Sequence, residues 1–204
     1  RLTIIETSEL GRQPMVSNDG KYCITYNGEI YNYLELRKNL ENKGYNFKSH
    51  SDTEVLLNAY IEYGTEVFDH LIGMYAFAIW DSNNSQICLG RDFMGIKPLY
   101  YYVNNNFIAF ASEQKAILEI EEVSRKTNPI NCYYYLRFGI TDHGEDTMFE
   151  GIKQLEAGKY AIIKTNSENK TISHHEHWKE KIEKGKYENV SQVISDFKSK
   201  FYES

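Results

Sequence analysis

Asn27, Gly28 and Glu29 are the first residues whose types and spacing could do chemistry. A side-chain amide next to a glycine N–H provides the two donors from which an oxyanion hole is usually built. Glycine also lets a ligand approach the backbone closely. The same Asn-Gly pair is common at a turn between a strand and a helix, because both residues tolerate positive φ. The three residues alone therefore leave a catalytic and a structural interpretation open.

Three further groups of polar residues favour structural roles. Asp52 lies where a helix is expected to begin, and a carboxylate at that place interacts favourably with the helix dipole. Arg91 and Asp92 lie between glycines at the expected end of a strand, which is typical of a structural pair. His175 and His177 would share one face of a strand and could bind a metal. No other ligand stands at matching spacing, so we predict a solvent-exposed strand without a metal site.

The elements that must position these residues mix strands with helices. Residues 21–27 show the period of two of a strand, and two helices follow, with capping-box spacing at residues 32–35 and 51–54. Residues 74–81 are apolar on both faces, so the sheet that contains them must be covered on both sides. We therefore expect an α+β fold, in which two packed sheets have helices outside them.

Composition and charge exclude several classes of protein. The 204 residues include 23 basic and 29 acidic ones, which gives a net charge of −6. No block of Lys or Arg offers a surface for nucleic acid or an anionic membrane, and the longest apolar stretch, residues 74–80, is too short to span a bilayer. Three cysteines, Cys23, Cys88 and Cys132, are too sparse for a disulfide framework. We predict a cytoplasmic protein with reduced thiols and no nucleic-acid or membrane partner.

Six segments occur in an order that is far more specific than any one of them. They are residues 1–5 (RLTII), 27–32 (NGEIYN), 51–54 (SDTE), 73–81 (GMYAFAIWD), 90–100 (GRDFMGIKPLY) and 111–116 (ASEQKA). In this combination the sequence resembles the glutamine-hydrolysing half of asparagine synthetases, which are class II glutamine amidotransferases. The resemblance implies an N-terminal-nucleophile hydrolase fold, which is a four-layer αββα sandwich of two antiparallel sheets between helices.

The resemblance also implies a reaction and a domain organisation. In this family the thiolate of an N-terminal Cys attacks the side-chain amide of L-glutamine, with the chain's own α-amine as base, and ammonia is released. The ammonia passes to a synthetase domain that uses ATP and Mg²⁺ to convert aspartate to asparagine, whereas the glutaminase domain has no cofactor. Residues 1–178 would form the amidotransferase domain, residues 179–188 a linker, and residues 189–204 the start of the synthetase domain. The resemblance is compatible with a homodimer.

Positions that match the family motifs give the expected substrate site. The Asn27 side chain and the Gly28 N–H would form the oxyanion hole. Arg1 would hold the α-carboxylate of glutamine, because a guanidinium binds a carboxylate in a bidentate manner. Asp52 and Glu29 would face the α-ammonium group, since a zwitterionic substrate needs both charges balanced in a nearly closed pocket. The full expected set, in which Ile4 and Ile5 act through backbone groups, is Arg1, Leu2, Ile4, Ile5, Asn27, Gly28, Glu29 and Asp52.

The sequence departs from the family pattern at its start. The family's leading Cys and the His-Arg-Gly-Pro-Asp segment that follows it are not among the 204 residues. The three internal cysteines offer no free α-amine, so we expect that the chain as given does not hydrolyse glutamine, although a parent protein would. Three alternatives stay open: a related domain that binds an amino acid or a partner without catalysis, an amidotransferase with another ammonia acceptor, and an unrelated interaction module.

Overall fold

Runs of strands and helices follow one another along the computed structural model, which describes residues 9–141, 144–166, 170–179 and 189–203. The strands are β1 (Met15–Val16), β2 (Tyr22–Ile30), β3 (Gly73–Asp81), β4 (Gln86–Arg91), β5 (Tyr100–Val103), β6 (Ile108–Ala111), β7 (Lys153–Gln154), β8 (Lys159–Lys164) and β9 (Thr171–Glu176). The helices are α1 (Tyr33–Asn42), α2 (Asp52–Tyr63), α3 (Gln114–Leu118), α4 (Pro129–Phe138) and α5 (Val190–Glu203). None of the helices in these ranges has the length and apolar character needed to cross a bilayer. Residues 180–188 of the predicted linker lie outside the described residues.

The strands form two antiparallel sheets. The larger sheet has the order β1-β2-β3-β4-β8-β9, and the smaller sheet has the order β6-β5-β7. Strands β2 and β3 pair along their whole length, with Gly28 opposite Tyr75. On its other side β2 pairs with β1 only at Cys23 and Ile24. Beyond these residues no described strand covers β2 on that side, and we call residues 26–30 the free edge of β2.

Apolar side chains form three layers that separate helices and sheets. The first layer, which includes Ile24 and Leu56, lies between the larger sheet and the helices α1 and α2. The second, which includes Leu89 and Tyr101, lies between the two sheets. The third lies between the smaller sheet and α3 and includes Ile117. The predicted α+β fold with four layers is therefore confirmed.

Strand β3 belongs to two of these layers at once. Phe77 and Ile79 pack in the layer next to the helices, whereas Ala76 and Ala78 face the layer between the sheets. All four side chains are buried. This confirms that the sheet around residues 74–81 is covered on both sides, and the small alanine side chains leave room between the sheets.

The two predicted capping boxes are wrong in part. Ser51 does cap α2 with its side chain, but Glu54 turns away and accepts backbone N–H groups of residues 48–49 at 2.9 and 2.7 Å. Asn32 does not cap α1 with its side chain and instead bonds to backbone groups in residues 70–72. In both cases the side chain forms hydrogen bonds with backbone groups outside its own helix, and it thereby links the helix to another segment.

Candidate active site

The free edge of β2 presents the N–H of Gly28. Both main-chain groups of Tyr75, which lies opposite, are occupied by Asp92: the Tyr75 N–H donates to Asp92 Oδ2 at 3.2 Å, and the Asp92 N–H donates to the Tyr75 carbonyl at 2.8 Å. Gly28 and Tyr75 are therefore a pair without mutual hydrogen bonds, in which the N–H and C=O of Gly28 point away from β3. Within the described part of the chain, no acceptor meets this N–H.

Asp92 can hold Tyr75 in this way because hydrogen bonds from two buried side chains hold the loop after β4. The Asp92 side chain is fully buried and accepts three more N–H groups, from Met94, Ile96 and Lys97, at 2.9 to 3.1 Å. The neighbouring Arg91 guanidinium donates to the carbonyls of Gly95, Lys97 and Leu155. The buried Arg91 and Asp92 thus both form hydrogen bonds with backbone groups of the loop. This agrees with the structural role that the sequence predicts for the pair.

Side chains occupy the N–H groups on either side of Gly28. The Tyr26 N–H donates to Gln13 Oε1 at 2.7 Å, and the Ile30 N–H donates to Asp52 Oδ2 at 3.2 Å. These two N–H groups point in the same direction as that of Gly28, since alternate residues of a strand share a hydrogen-bonding side. The Gly28 N–H is therefore an available donor between two occupied ones.

A side chain at position 28 does not fit against β3. A Cβ placed on Gly28 would lie 2.2 Å from the carbonyl oxygen of Met74 and 2.7 Å from the Cα of Tyr75. Both atoms belong to the backbone, so they can move away only if the strands separate. Glycine is therefore required here by the close approach of β2 and β3.

Asp52 brings a buried carboxylate to the same edge. It is the first residue of α2, and its Oδ2 accepts both the Ile30 N–H at 3.2 Å and the Tyr26 hydroxyl at 2.8 Å. Burial, together with the nearby charge of Asp52 and that of Glu29, raises the pKa of Tyr26 far above its usual value. The hydroxyl therefore stays protonated and donates. Among the described residues, neither carboxylate forms an ion pair with Lys or Arg.

Asn27 opens onto a cavity of about 520 Å³ between the two sheets. Its side-chain Nδ2 donates to Ser112 Oγ at 3.3 Å, which is a long hydrogen bond. The volume is in the range of small-molecule sites. Most residues that line the cavity come from β2 and β3 on one side and from β6 and the following turn on the other, while Gln13 precedes β1 and Leu99 precedes β5. The lining residues are Gln13, Thr25, Tyr26, Asn27, Ala76, Phe77, Ala78, Leu99, Phe110, Ala111, Ser112 and Glu113.

The structure brings four of the predicted site residues together. Asn27, Gly28 and Glu29 lie on the free edge of β2, and Asp52 bonds to residues on both sides of them. The other four predicted residues lie outside the described residues, and they are Arg1, Leu2, Ile4 and Ile5. Sequence analysis missed Gln13, which lines the cavity and bonds to the Tyr26 N–H. A single Gln before a Pro carries no periodic or motif signal that would have identified it.

None of the three cysteines has the surroundings of a nucleophile at this edge. Cys88 is completely buried, and burial raises the pKa of its thiol to about 12. Burial also raises the pKa of Cys23, which lies four residues before Asn27 on β2 and therefore about 14 Å away along the strand. Cys132 belongs to α4. Because a raised pKa lowers the fraction of reactive thiolate, the first two are poor nucleophiles.

The histidines near the C-terminal end of β9 pack on other side chains. His175 stacks on Tyr160 with ring centroids 4.9 Å apart, and His177 stacks on Phe68 at 4.6 Å. His177 Nε2 also lies 2.7 Å from the carbonyl oxygen of Arg91. Burial lowers the pKa of His177. Its neutral ring therefore donates this hydrogen bond at neutral pH.

Comparisons with known proteins agree on one family. The family model for the glutamine amidotransferase domain matches residues 1–178. Glutamine-hydrolyzing asparagine synthetase 1 of Bacillus subtilis (strain 168) is 40% identical over 171 residues, which cover 82% of this chain and 26% of that protein. Amidase chry2 of Gibberella zeae is 34% identical over 166 residues, with coverage of 81% and 24%. The chain therefore spans about a quarter of the length of these relatives.

A solved structure has a similar arrangement of sheets and helices. Glutamine phosphoribosylpyrophosphate amidotransferase from B. subtilis, in complex with ADP and GMP, superposes with a TM-score of 0.57 over 85% of this chain and 33% of that one. The sequence identity is 23%, so this likeness concerns the fold alone. It confirms the sandwich of the N-terminal-nucleophile hydrolase type that the resemblance implies.

Proposed function

Because the chain belongs to the glutamine amidotransferase family, as a domain of the kind found in asparagine synthetase-like proteins, we propose that it binds L-glutamine along the free edge of β2 and stabilises the oxyanion formed during release of ammonia. The observation that carries the proposal is the Gly28 N–H, which no described residue accepts, near the buried carboxylate of Asp52. The N–H can donate to the reacting amide of glutamine, and the carboxylate can accept from its α-ammonium group.

The spacing along the strand supports this placement. The N–H groups of Gly28 and Ile30 are two residues apart, which corresponds to about 7 Å, and Asp52 extends outward from the second of them. The amide carbon and the α-nitrogen of an extended glutamine are about 5 Å apart. A glutamine lying along the edge can therefore place its amide oxygen near Gly28 and its ammonium near Asp52, with Glu29 adding a second negative charge.

The proposed chemistry needs two donors on one oxygen. When a thiolate attacks the amide carbon, a tetrahedral intermediate forms and its oxygen becomes negative. The Gly28 N–H supplies one donor. The Asn27 amide supplies the other if it exchanges its long bond to Ser112 for a bond to the oxyanion. The α-amine that took the thiol proton returns it to the leaving nitrogen, so collapse of the intermediate releases ammonia and leaves a thioester, which water then hydrolyses to glutamate and the free thiol.

We propose further that the attacking thiolate is none of Cys23, Cys88 and Cys132, so that these 204 residues bind glutamine without turning it over. The raised pKa of the first two and the position of the third on α4 support this. In the intact protein the ammonia would serve ATP-dependent amidation of aspartate in a part that binds ATP and Mg²⁺. An acceptor other than aspartate is the second candidate, because one relative of similar coverage is not named as an asparagine synthetase.

The oxyanion role is tested by replacing Asn27 in the intact protein. Asn27→Ala should lower kcat for ammonia release from L-glutamine by about 100-fold to 1000-fold with little change in KM, because the lost donor acts on the transition state. Asn42→Ala, an exposed position on α1, is the matched control and should retain wild-type kcat. Retention of wild-type kcat by Asn27→Ala would refute the assignment.

A further inference from the structure

Among the described residues, the carboxylate of Asp52 is held through one oxygen only. Both hydrogen bonds that it accepts, from the Tyr26 hydroxyl and the Ile30 N–H, go to Oδ2. No described residue donates to Oδ1. The residue is nevertheless 6% exposed. Within the described part of the chain, Oδ2 is thus fixed and Oδ1 has no donor.

Tyr26 is itself fixed at both ends. Its ring is buried in the layer next to α2, and its N–H donates to Gln13 Oε1 at 2.7 Å. The side-chain amide of Gln13 then donates to Thr53 Oγ1 at 3.3 Å, one residue after Asp52. Besides the bond from the Ile30 N–H, two connections from Tyr26 therefore join β2 to the first turn of α2, one through Gln13 and one through the Tyr26 hydroxyl.

We propose that Tyr26 is a positioning residue that orients Asp52 toward the free amino group of the substrate, and thereby lets the site distinguish an α-amino acid from the same molecule without its amino group. This inference rests on the proposed function. Without the hydroxyl, Asp52 keeps the Ile30 N–H as its only described partner, and its carboxylate can rotate. The donors for the amide end, Asn27 and Gly28, lie outside this connection.

Tyr26→Phe tests recognition of the ammonium end of the substrate separately from recognition of the amide end. The variant loses only the hydroxyl oxygen that bonds to Asp52 and keeps the ring. In the intact protein, binding constants are measured for L-glutamine and for its deamino analogue, 5-amino-5-oxopentanoate. Tyr26→Phe should weaken binding of L-glutamine about tenfold and leave that of the analogue within twofold of wild type. The ratio of the two constants does not depend on the fraction of protein that folds, so partial unfolding of the variant cannot imitate the effect.

Tyr22→Phe is the matched control. Tyr22 lies on the same strand, and its hydroxyl also forms a side-chain hydrogen bond, in which it accepts from Asn83 Nδ2 at 3.0 Å, but at the far end from the site. This variant should leave the ratio unchanged. In the Asp52→Asn background, which has no carboxylate to orient, Tyr26→Phe should cause no further loss of selectivity.

Two results would overturn the inference, and they differ in what else they overturn. If wild type prefers L-glutamine over the analogue and Tyr26→Phe shows the same preference, the role of Tyr26 is refuted while the proposed function stands. If the wild-type protein binds neither compound, the proposed function fails and this inference fails with it. If Tyr26→Phe lowers the preference for L-glutamine over the analogue tenfold, and has no such effect in the Asp52→Asn background, both this inference and the proposed function are supported.

Discussion

Gly28→Ala offers a direct test of the free edge of β2. The new methyl group would lie 2.2 Å from the Met74 carbonyl oxygen and 2.7 Å from the Tyr75 Cα, whereas carbon atoms in contact are about 3.5 to 4.0 Å apart. The strands must therefore separate locally by about 1 Å. Insertion of one methyl group into a packed region costs about 1 to 3 kcal/mol, and the hydrogen bonds of the neighbouring pairs weaken as well.

The effects on catalysis and on stability should be similar in size, since a 100-fold fall in kcat corresponds to about 2.7 kcal/mol. A shift of about 1 Å in the Gly28 N–H is expected to lower kcat about 100-fold, since donor placement is sensitive to errors of that size. We would measure ammonia release from L-glutamine by the intact protein and the free energy of unfolding in urea. Gly28→Ala should lose about 3 kcal/mol of unfolding free energy and about 100-fold in kcat.

Gly20→Ala is the matched control for this experiment. Gly20 has φ of +72° and no atom within 4 Å of its added Cβ, so alanine strains the backbone there without any contact. Gly20→Ala should lower the unfolding free energy by about 1 kcal/mol and should retain wild-type kcat. The reasoning is refuted if Gly28→Ala retains kcat within twofold of wild type, because the strand would then have accepted a side chain without moving the donor.

Two further predictions concern ionisable groups away from the site. The folded state holds His177 with a lowered pKa, so the unfolded chain binds protons more readily. The unfolding free energy should therefore fall as the pH drops below about 6.5, and His177→Phe should flatten this part of a urea-unfolding pH series; an unchanged slope would contradict the prediction. The pKa of Cys88 is raised to about 12, so at pH 8 its thiol should react with a disulfide reagent only after unfolding. Mass spectrometry of the labelled native protein measures this, and rapid native labelling of Cys88 would contradict it.

The pattern of apolar residues predicted the layers around β3 correctly, because a strand that is covered on both faces is apolar at successive positions and not only at alternate ones. Residues 74–81 have no polar face, and the structure places β3 between two apolar layers. The caps of α4 were also predictable: the Asn128 side chain accepts two N–H groups of the first turn, Pro129 follows, and Gly139 ends the helix in the left-handed region. Each of these caps involves residues within about four positions of one another, so the local sequence is enough to predict it.

The roles of other residues depended on partners that are distant in sequence. The spacing of Glu54 from Ser51 suggested a capping box, yet the carboxylate found two N–H groups of the preceding loop. The Asn27-Gly28 pair suggested an oxyanion hole or a turn, and only the pairing with β3 shows that the Gly28 N–H points outward. Tyr26 and Gln13 had no signal at all, because their contacts with Asp52 and Thr53 cross 26 and 40 positions.

The bonds between Asp92 and Tyr75 have a consequence for how this domain can change during evolution. Successive residues of a strand direct their N–H groups to opposite sides, so a slip of one position between β2 and β3 would turn the Gly28 donor inward and expose its neighbour. Insertion or deletion of a single residue near Gly28 or Tyr75 should therefore abolish the site even in a chain that still folds. A change of two residues restores the parity, so variation in strand length that preserves function should occur in even steps.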